Sequence, residues 1–306
     1  MPERRPLEVA GGHVVRAVAL AGADFPPGLR ALADPPACVY LRGSDLPAVE
    51  RAVAIVGSRA ASAYGIDQAR RLAADLARMG FVIVSGLARG IDAAAHRGAL
   101  EAGGHTVAVI PCGLDAITPR HHHALAGEIA ARGTLLSEWE HGGPRGVGAF
   151  IQRNRLIAAL ASATVVVEAA ARSGALSTAA AAARLGRAVL AVPGDVDRET
   201  ARGCHALIRR GAALCEQAAD VLAAIGAGCG SSARDGRGRE PGAKAAHDRP
   251  PEARVLAALD GAPRTVDALA AAAALSVSET LAALLALQWA GAAAARPGQR
   301  WARGGT

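Results

Sequence analysis

Four short strings in this 306-residue sequence carry residue types that hold anions. Gly57-Ser58-Arg59 follows the apolar run Val53–Val56, and Ser85-Gly86-Leu87-Ala88-Arg89-Gly90 ends the run that starts at Phe81. Phe150 precedes Arg153-Asn154-Arg155, and Ser173-Gly174 precedes Ser177-Thr178. Glycine lets the backbone approach a ligand, the first N–H groups of a helix point at it, and arginine adds a fixed fork of donors. Serine and threonine hydroxyls near a helix start add further hydrogen bonds. One such string alone reads as a tight structural turn. Four of them at the ends of successive strands point to one shared phosphate-type site. Phe150 is the one aromatic placed to stack a base there, and it reads equally as a core residue.

Several other chemistries find no support. Lys244 is the only lysine, and no Gly-x-x-x-x-Gly-Lys-Ser/Thr string exists, which removes a lysine-dependent NTPase. No Gly-x-Ser-x-Gly nucleophile elbow is present. Asp92 and His96, four apart on one helix face, read as braces of that helix rather than as an acid–base pair. His121-His122-His123 has no second Cys/His pair at ligand spacing, so it reads as a solvated loop and no metal is expected. Cys38, Cys112, Cys204, Cys215 and Cys229 are odd in number and lack Cys-x-x-Cys spacing, which points to reduced thiols. No cofactor is expected.

These strings need strands to carry them. From about Arg51 to Ile225 strand-like and helix-like segments alternate, which predicts a Rossmann-like, doubly wound, mostly parallel α/β sheet. Expected strands are Val53–Val56, Phe81–Ser85, Thr106–Pro111, Thr134–Ser137, Thr164–Glu168 and Ala188–Val192. Most are continuous apolar runs, as befits parallel strands covered on both faces. Expected helices are Gly65–Met79, Ile91–Ala102, His121–Arg132, Phe150–Ala161 and Leu176–Leu185. Residues 1–50 form a reduced lead-in segment with a possible strand at Cys38–Leu41, and 51–226 form the main domain. Residues 227–250, rich in Gly, Ser and Arg, read as a flexible linker. In 251–306, three expected helices and a hairpin in which Trp301 folds back onto the core match a small winged-helix-like domain. The stretches 265–273 and 276–288 hold no Arg or Lys, which argues for a protein-contact or structural role over base reading.

In order and spacing these strings resemble the DNA-processing protein A family (DprA, also called Smf). The carrying motifs are Val-Gly-Ser-Arg at 56–59, Ser-Gly-x-Ala-x-Gly-Ile-Asp-x-x-Ala-His at 85–96 and Arg-Asn-Arg-x-Ile at 153–157. Glu-Ala-x-x-x-Ser-Gly-x-Leu at 168–176 and Val-Pro-Gly at 192–194 complete the set. The resemblance covers roughly residues 24–225 and implies a non-catalytic protein that binds single-stranded DNA. It further implies loading of the RecA recombinase onto that strand, in natural transformation and recombination, and a homodimer formed through the α/β domain. Carried over by position, the DNA site uses Gly57, Ser58, Arg59, Ser85, Gly86, Arg89, Gly90, Phe150, Arg153, Asn154, Arg155, Ser173, Gly174, Ser177 and Thr178. Thr118-Pro119 stands where the family usually has Tyr-Pro, and Ile151 replaces a usual proline.

Composition agrees with that reading. The net charge is +7, and with three Phe, two Tyr and three Trp there is no extended stacking platform. Binding then rests on phosphates held by arginines and helix N-termini, with little sequence preference. No apolar stretch reaches the ~18 residues of a membrane span, and the start has no signal-peptide run, so a cytoplasmic protein without a membrane partner is expected. The rival is a phosphoribohydrolase-like enzyme on a related fold with Glu168 as its carboxylate; the Pro-Gly-Gly-x-Gly-Thr-x-x-Glu string of that group is missing.

Overall fold

Continuous runs of Val, Ile and Ala build the centre of a ten-stranded sheet. The computed structural model describes residues 6–9, 13–144, 146–229, 251–259, 263–289, 292–296 and 300–303. The chain divides into two units, Met1–Arg234 and Asp235–Thr306.

In the first unit the strands are β1 (Pro6–Val9), β2 (His13–Ala19), β3 (Cys38–Gly43), β4 (Ala52–Gly57) and β5 (Val82–Ser85). They continue with β6 (Thr106–Ile110), β7 (Thr134–Ser137), β8 (Ala163–Val167), β9 (Ala188–Ala191) and β10 (Ala213–Leu214). The sheet order is β1-β2-β3-β7-β6-β5-β4-β8-β9-β10. From β7 to β10 every pairing is parallel, whereas β1, β2, β3 and β7 pair antiparallel. The lead-in segment therefore supplies strands to the same sheet. The chain starts the parallel part at β4, fills outward to β7 on one side, then returns to place β8 on the other. β4 and β8 thus flank the topological switch point, where connections diverge and the carboxyl ends leave a crevice for ligands.

Helices cover both faces. These are α1 (Pro27–Arg30), α2 (Ala63–Arg78), α3 (Ile91–Glu101), α4 (His123–Arg132), α5 (Val147–Ala159), α6 (Ala175–Arg184), α7 (Arg202–Arg209) and α8 (Ala218–Cys229). Val53, Ile55 and Ile83 pack with Leu72 and Leu76 of α2 and with Val221 of α8. On the opposite face Ala54, Val56 and Val84 pack with Leu156 of α5, Ala179 of α6 and Cys204 of α7. Alternate residues of β4 feed two cores, which is why all of Ala52–Val56 is buried. The expected linker begins inside α8, and its residues 230–250 lie outside the described ones.

The second unit holds α9 (Pro251–Ala258), β11 (Arg264–Thr265), α10 (Val266–Ala273), α11 (Val277–Trp289), β12 (Ala293–Arg296) and β13 (Arg300–Arg303). Its three strands pair antiparallel in the order β11-β13-β12. Trp301 is buried among Val255, Leu269, Leu284 and Ala293, so the hairpin folds onto the helices as expected. No single helix among the described residues is long and apolar enough to cross a membrane.

Candidate nucleic-acid interface

The first two strings meet at the switch point. Gly57 ends β4 so close to β8 that a Cβ there would lie 1.8 Å from the carbonyl oxygen of Val167, so a side chain is sterically excluded. The turn is pinned on both sides: Ser58 N–H donates to the Glu168 carbonyl at 2.8 Å, and the Ser58 carbonyl accepts from Ile91 N–H at 3.2 Å. Gly90, with φ +74°, packs on that same Ser58 carbonyl, where a Cβ would come within 2.3 Å. The Gly57–Arg59 and Ser85–Gly90 turns therefore form one continuous edge.

Above this edge Arg59 is exposed, and its guanidinium lies over the Phe150 ring, 4.7 Å from the centroid. Cation–π stacking of this kind holds the arginine flat while leaving its outer face and N–H fork toward solvent. Phe150 is half-buried, between the two roles open to it in the sequence. Arg89 is exposed on the neighbouring turn. Helices α3 and α5 begin after Gly90 and Gly146 with no side-chain cap, whereas the first N–H of α6, that of Ala175, already donates to a serine hydroxyl. Uncapped first-turn N–H groups are the partners that phosphate oxygens use.

The Arg-Asn-Arg string divides into three directions. Arg153 is 3% exposed, and its guanidinium donates to the carbonyls of Gly86 (2.6 Å) and Val109. Burial lowers its pKa to about 10, and the carboxylate of Asp92 opposes that shift, so it stays cationic at neutral pH. It acts on the edge from beneath, through Gly86, where a Cβ would lie 2.0 Å from its Nη1. Asn154 donates to the Gly174 carbonyl (3.1 Å) and to Ser177 Oγ (2.9 Å), locking α5 to the start of α6. Arg155 turns to Glu138 at 2.6 Å, with Asp34 at 4.0 Å. Thr178 is buried, so its hydroxyl is covered, while Ser173 Oγ accepts from Ala175 N–H at 3.3 Å. The structure thus brings Ser58, Arg59, Arg89 and Gly90 to the surface of one edge. Arg153, Asn154 and Thr178 lie behind it.

The groups weighed for catalysis are occupied structurally. Asp92 is buried, which raises its pKa, and Oδ2 accepts from Ala88 N–H at 3.3 Å inside the turn. His96 is fully buried, hydrogen-bonded through Nδ1 to Thr106 Oγ1 at 2.7 Å, and burial lowers its pKa to about 3. Glu168, 6% exposed, sits in a left-handed backbone conformation with φ +52°. Its carboxylate accepts from Ser62 N–H (2.9 Å) and Ser62 Oγ–H (2.5 Å), and Ser62 in turn caps α2. The expected solvated histidine loop is corrected at its middle residue. His122 is 4% exposed, and its Nδ1 bonds the carbonyl of Leu87, itself left-handed at φ +58°. A histidine run has no period to show which member faces inward, so this support for the Ser85–Gly90 turn is not legible in the sequence. Ser62 carried a signal, an N-cap serine just before a helical period.

The family description "DNA recombination-mediator protein A" matches residues 16–226, and "DprA winged helix domain" matches residues 239–299. A DNA processing protein DprA of Mycobacterium tuberculosis is 46% identical over 254 residues, 82% of this chain and 64% of that protein. Protein Smf of Escherichia coli is 41% identical over 199 residues, 65% of this chain and 53% of its own length. The chain thus spans roughly half to two thirds of the length of these curated relatives. The X-ray structure of Streptococcus pneumoniae DprA superposes with a TM-score of 0.64 at 38% identity, covering 68% of this chain and 73% of that one. A Helicobacter pylori DprA structure, described for its single-stranded DNA binding mode, gives 0.60 at 32% identity, covering 68% and 94%. On its fold, its second unit and its sequence matches, the chain belongs to the DNA recombination-mediator protein A family.

Proposed function

We propose that this chain binds single-stranded DNA along the carboxyl edge of its sheet, without catalysis, and hands the strand to the RecA recombinase. The observation that carries the reading is the exposed Arg59, held flat on Phe150 above the joined Gly57–Arg59 and Ser85–Gly90 turns. Ser58, Arg59, Arg89 and Gly90 contact the backbone, together with the uncapped start of α5. Arg153, Asn154, Ser177 and Thr178 hold those contacts in place, and Arg155 is tied to Glu138. A flexible single strand can bend its phosphates to such a local edge, whereas a duplex presents them on a rigid cylinder. The single-strand binding described for the Helicobacter pylori relative supports the substrate class. Family membership supports the RecA hand-over, the homodimer through the Rossmann-like unit, the cytoplasmic location and a role in DNA processing and transformation. The rival hydrolase reading is weakened, because Ser62 N–H and Oγ–H tie the Glu168 carboxylate to the capped start of α2.

The test is fluorescence anisotropy of labelled single-stranded and duplex oligonucleotides across a salt series. The expected result is tighter binding of the single strand, with log affinity falling by about 0.7 per contacted phosphate against log salt. Equal affinity for the two forms, or a flat salt dependence, contradicts the reading. Turnover of nucleoside monophosphates restores the hydrolase.

A further inference from the structure

Next to the phosphate edge lies a cavity that phosphate binding does not use. It opens at the carboxyl ends of β8 and β9, holds about 230 Å³, and is lined by Tyr64, Glu168, the Pro193–Asp195 turn and Arg198. Sites for whole small molecules run to about 300–1,000 Å³, so this space suits a single ring system. Its polar wall consists mainly of acceptors. Glu168 and Asp195 each bring a carboxylate, and the carbonyls of Pro193 and Gly194 accept from Tyr64 Oη–H and His205 Nε2, both at 3.0 Å. The cation in the wall, Arg198, is held by Asp195 at 3.1 Å. A phosphate would face two carboxylates here, whereas a neutral ring carrying N–H donors would find partners. Tyr64 is 43% exposed, and Val192, Pro193 and Ala201 share the wall with it, giving apolar surface for a ring to lie against.

The cavity is joined to the edge through a single residue. Glu168 places its carbonyl on Ser58 N–H and its carboxylate in the cavity wall. That double duty requires the left-handed backbone at φ +52°, a conformation non-glycine residues hold only where the surroundings impose it. Gly65 makes the space: a Cβ there would lie 2.6 Å from the Glu168 carboxyl carbon.

We propose that this cavity seats one unstacked base of the bound strand and prefers guanine. Guanine presents two adjacent donors, N1–H and N2–H, on its Watson–Crick edge, and one carboxylate can accept both. Thymine offers one donor flanked by acceptors. Each Glu168 oxygen accepts from Ser62 and keeps a second lone pair, and Asp195 stands at the rim. The inference rests on the single-strand reading above and adds a base preference to it.

The test measures the full chain by anisotropy against a 12-nucleotide dT strand and the same strand with one central dG, dA or inosine. The dG strand is expected to bind about tenfold tighter than the dT strand, and inosine, which lacks the 2-amino group, to fall back toward dT. Tyr64→Ala and Asp195→Asn each erase the ratio between dG and dT strands. Equal affinities across the four strands, with single-strand preference intact, overturn the base site and leave the strand reading standing. Failure to bind any of them overturns both.

Discussion

Methionine in place of Arg153 keeps an apolar stem but removes the guanidinium that bonds the carbonyls of Gly86 and Val109. Hydrogen bonds from a charged donor contribute about 1.5–3 kcal/mol each, and each buried carbonyl left alone costs about 1–3 kcal/mol. These describe one loss from two sides, so the expected destabilisation is about 3–5 kcal/mol rather than their sum. At about 2–4 °C per kcal/mol for a unit of this size, Tm falls by about 6–20 °C. The change also carries a pH signature. Burial raises the Asp92 pKa and Arg153 opposes that rise, so without the cation the folded carboxyl takes up its proton at higher pH. A carboxyl raised in the folded state contributes stability at low pH and loses it as pH climbs through the folded value. The deficit relative to the parent is therefore smallest in acid and grows toward neutrality. Urea denaturation at several pH values measures it, and Asp92→Asn in the same chain recovers the pH-dependent part. A deficit below about 1 kcal/mol, within the range of ordinary substitutions, or one that is flat in pH, refutes the supporting role given to Arg153.

Arg59→Ala lowers the salt slope of single-strand binding by about 0.7 for the phosphate contact it loses. Arg153→Met weakens binding without changing that slope; a slope change in the second variant would place Arg153 at the surface. His96, with its folded pKa lowered to about 3, binds fewer protons when folded than when unfolded between about pH 6.5 and 3, so stability drops as pH falls through that window. Between pH 7 and pH 5 the loss from this residue is about 2 kcal/mol, and His96→Gln should show that much less acid sensitivity in guanidinium unfolding. A fragment ending at Arg234 retains the central core and all the proposed contacts, so it should keep its single-strand affinity; loss of binding would place part of the site in residues 235–306.

The central strands were legible because parallel strands buried on both faces read as unbroken apolar runs, as Val53–Val56 and Thr164–Val167 do. The pairing of Gly57–Arg59 with Ser85–Gly90 was legible as small-residue turns at the ends of successive strands. β10 is two residues long with both exposed, so it has neither run nor alternation to read. In the short lead-in the strand at Cys38–Leu41 was legible and is β3, whereas β2 and the antiparallel pairing of both were not. The inward turn of Arg153 was also illegible. Spacing shows that Arg153 and Arg155 leave the helix in different directions, but a long arginine satisfies either a phosphate or two strand-end carbonyls. That choice is made by Gly86, whose missing side chain leaves room for the guanidinium.

The carboxylate of Glu168 reaches back across 106 residues of chain to Ser62. The edge is consequently the product of two distant stretches meeting, and neither half of the first unit can carry it alone. Contacts of such long sequence separation carry a large loop-closure cost and slow the folding of a chain that needs them. A ligand bound there bridges both stretches at once and stabilises only the completed fold, by RT ln(1 + [L]/Kd). A strand held at the switch point would thus act as a latch on the whole sheet, and thermal protection by short oligonucleotides would report it directly.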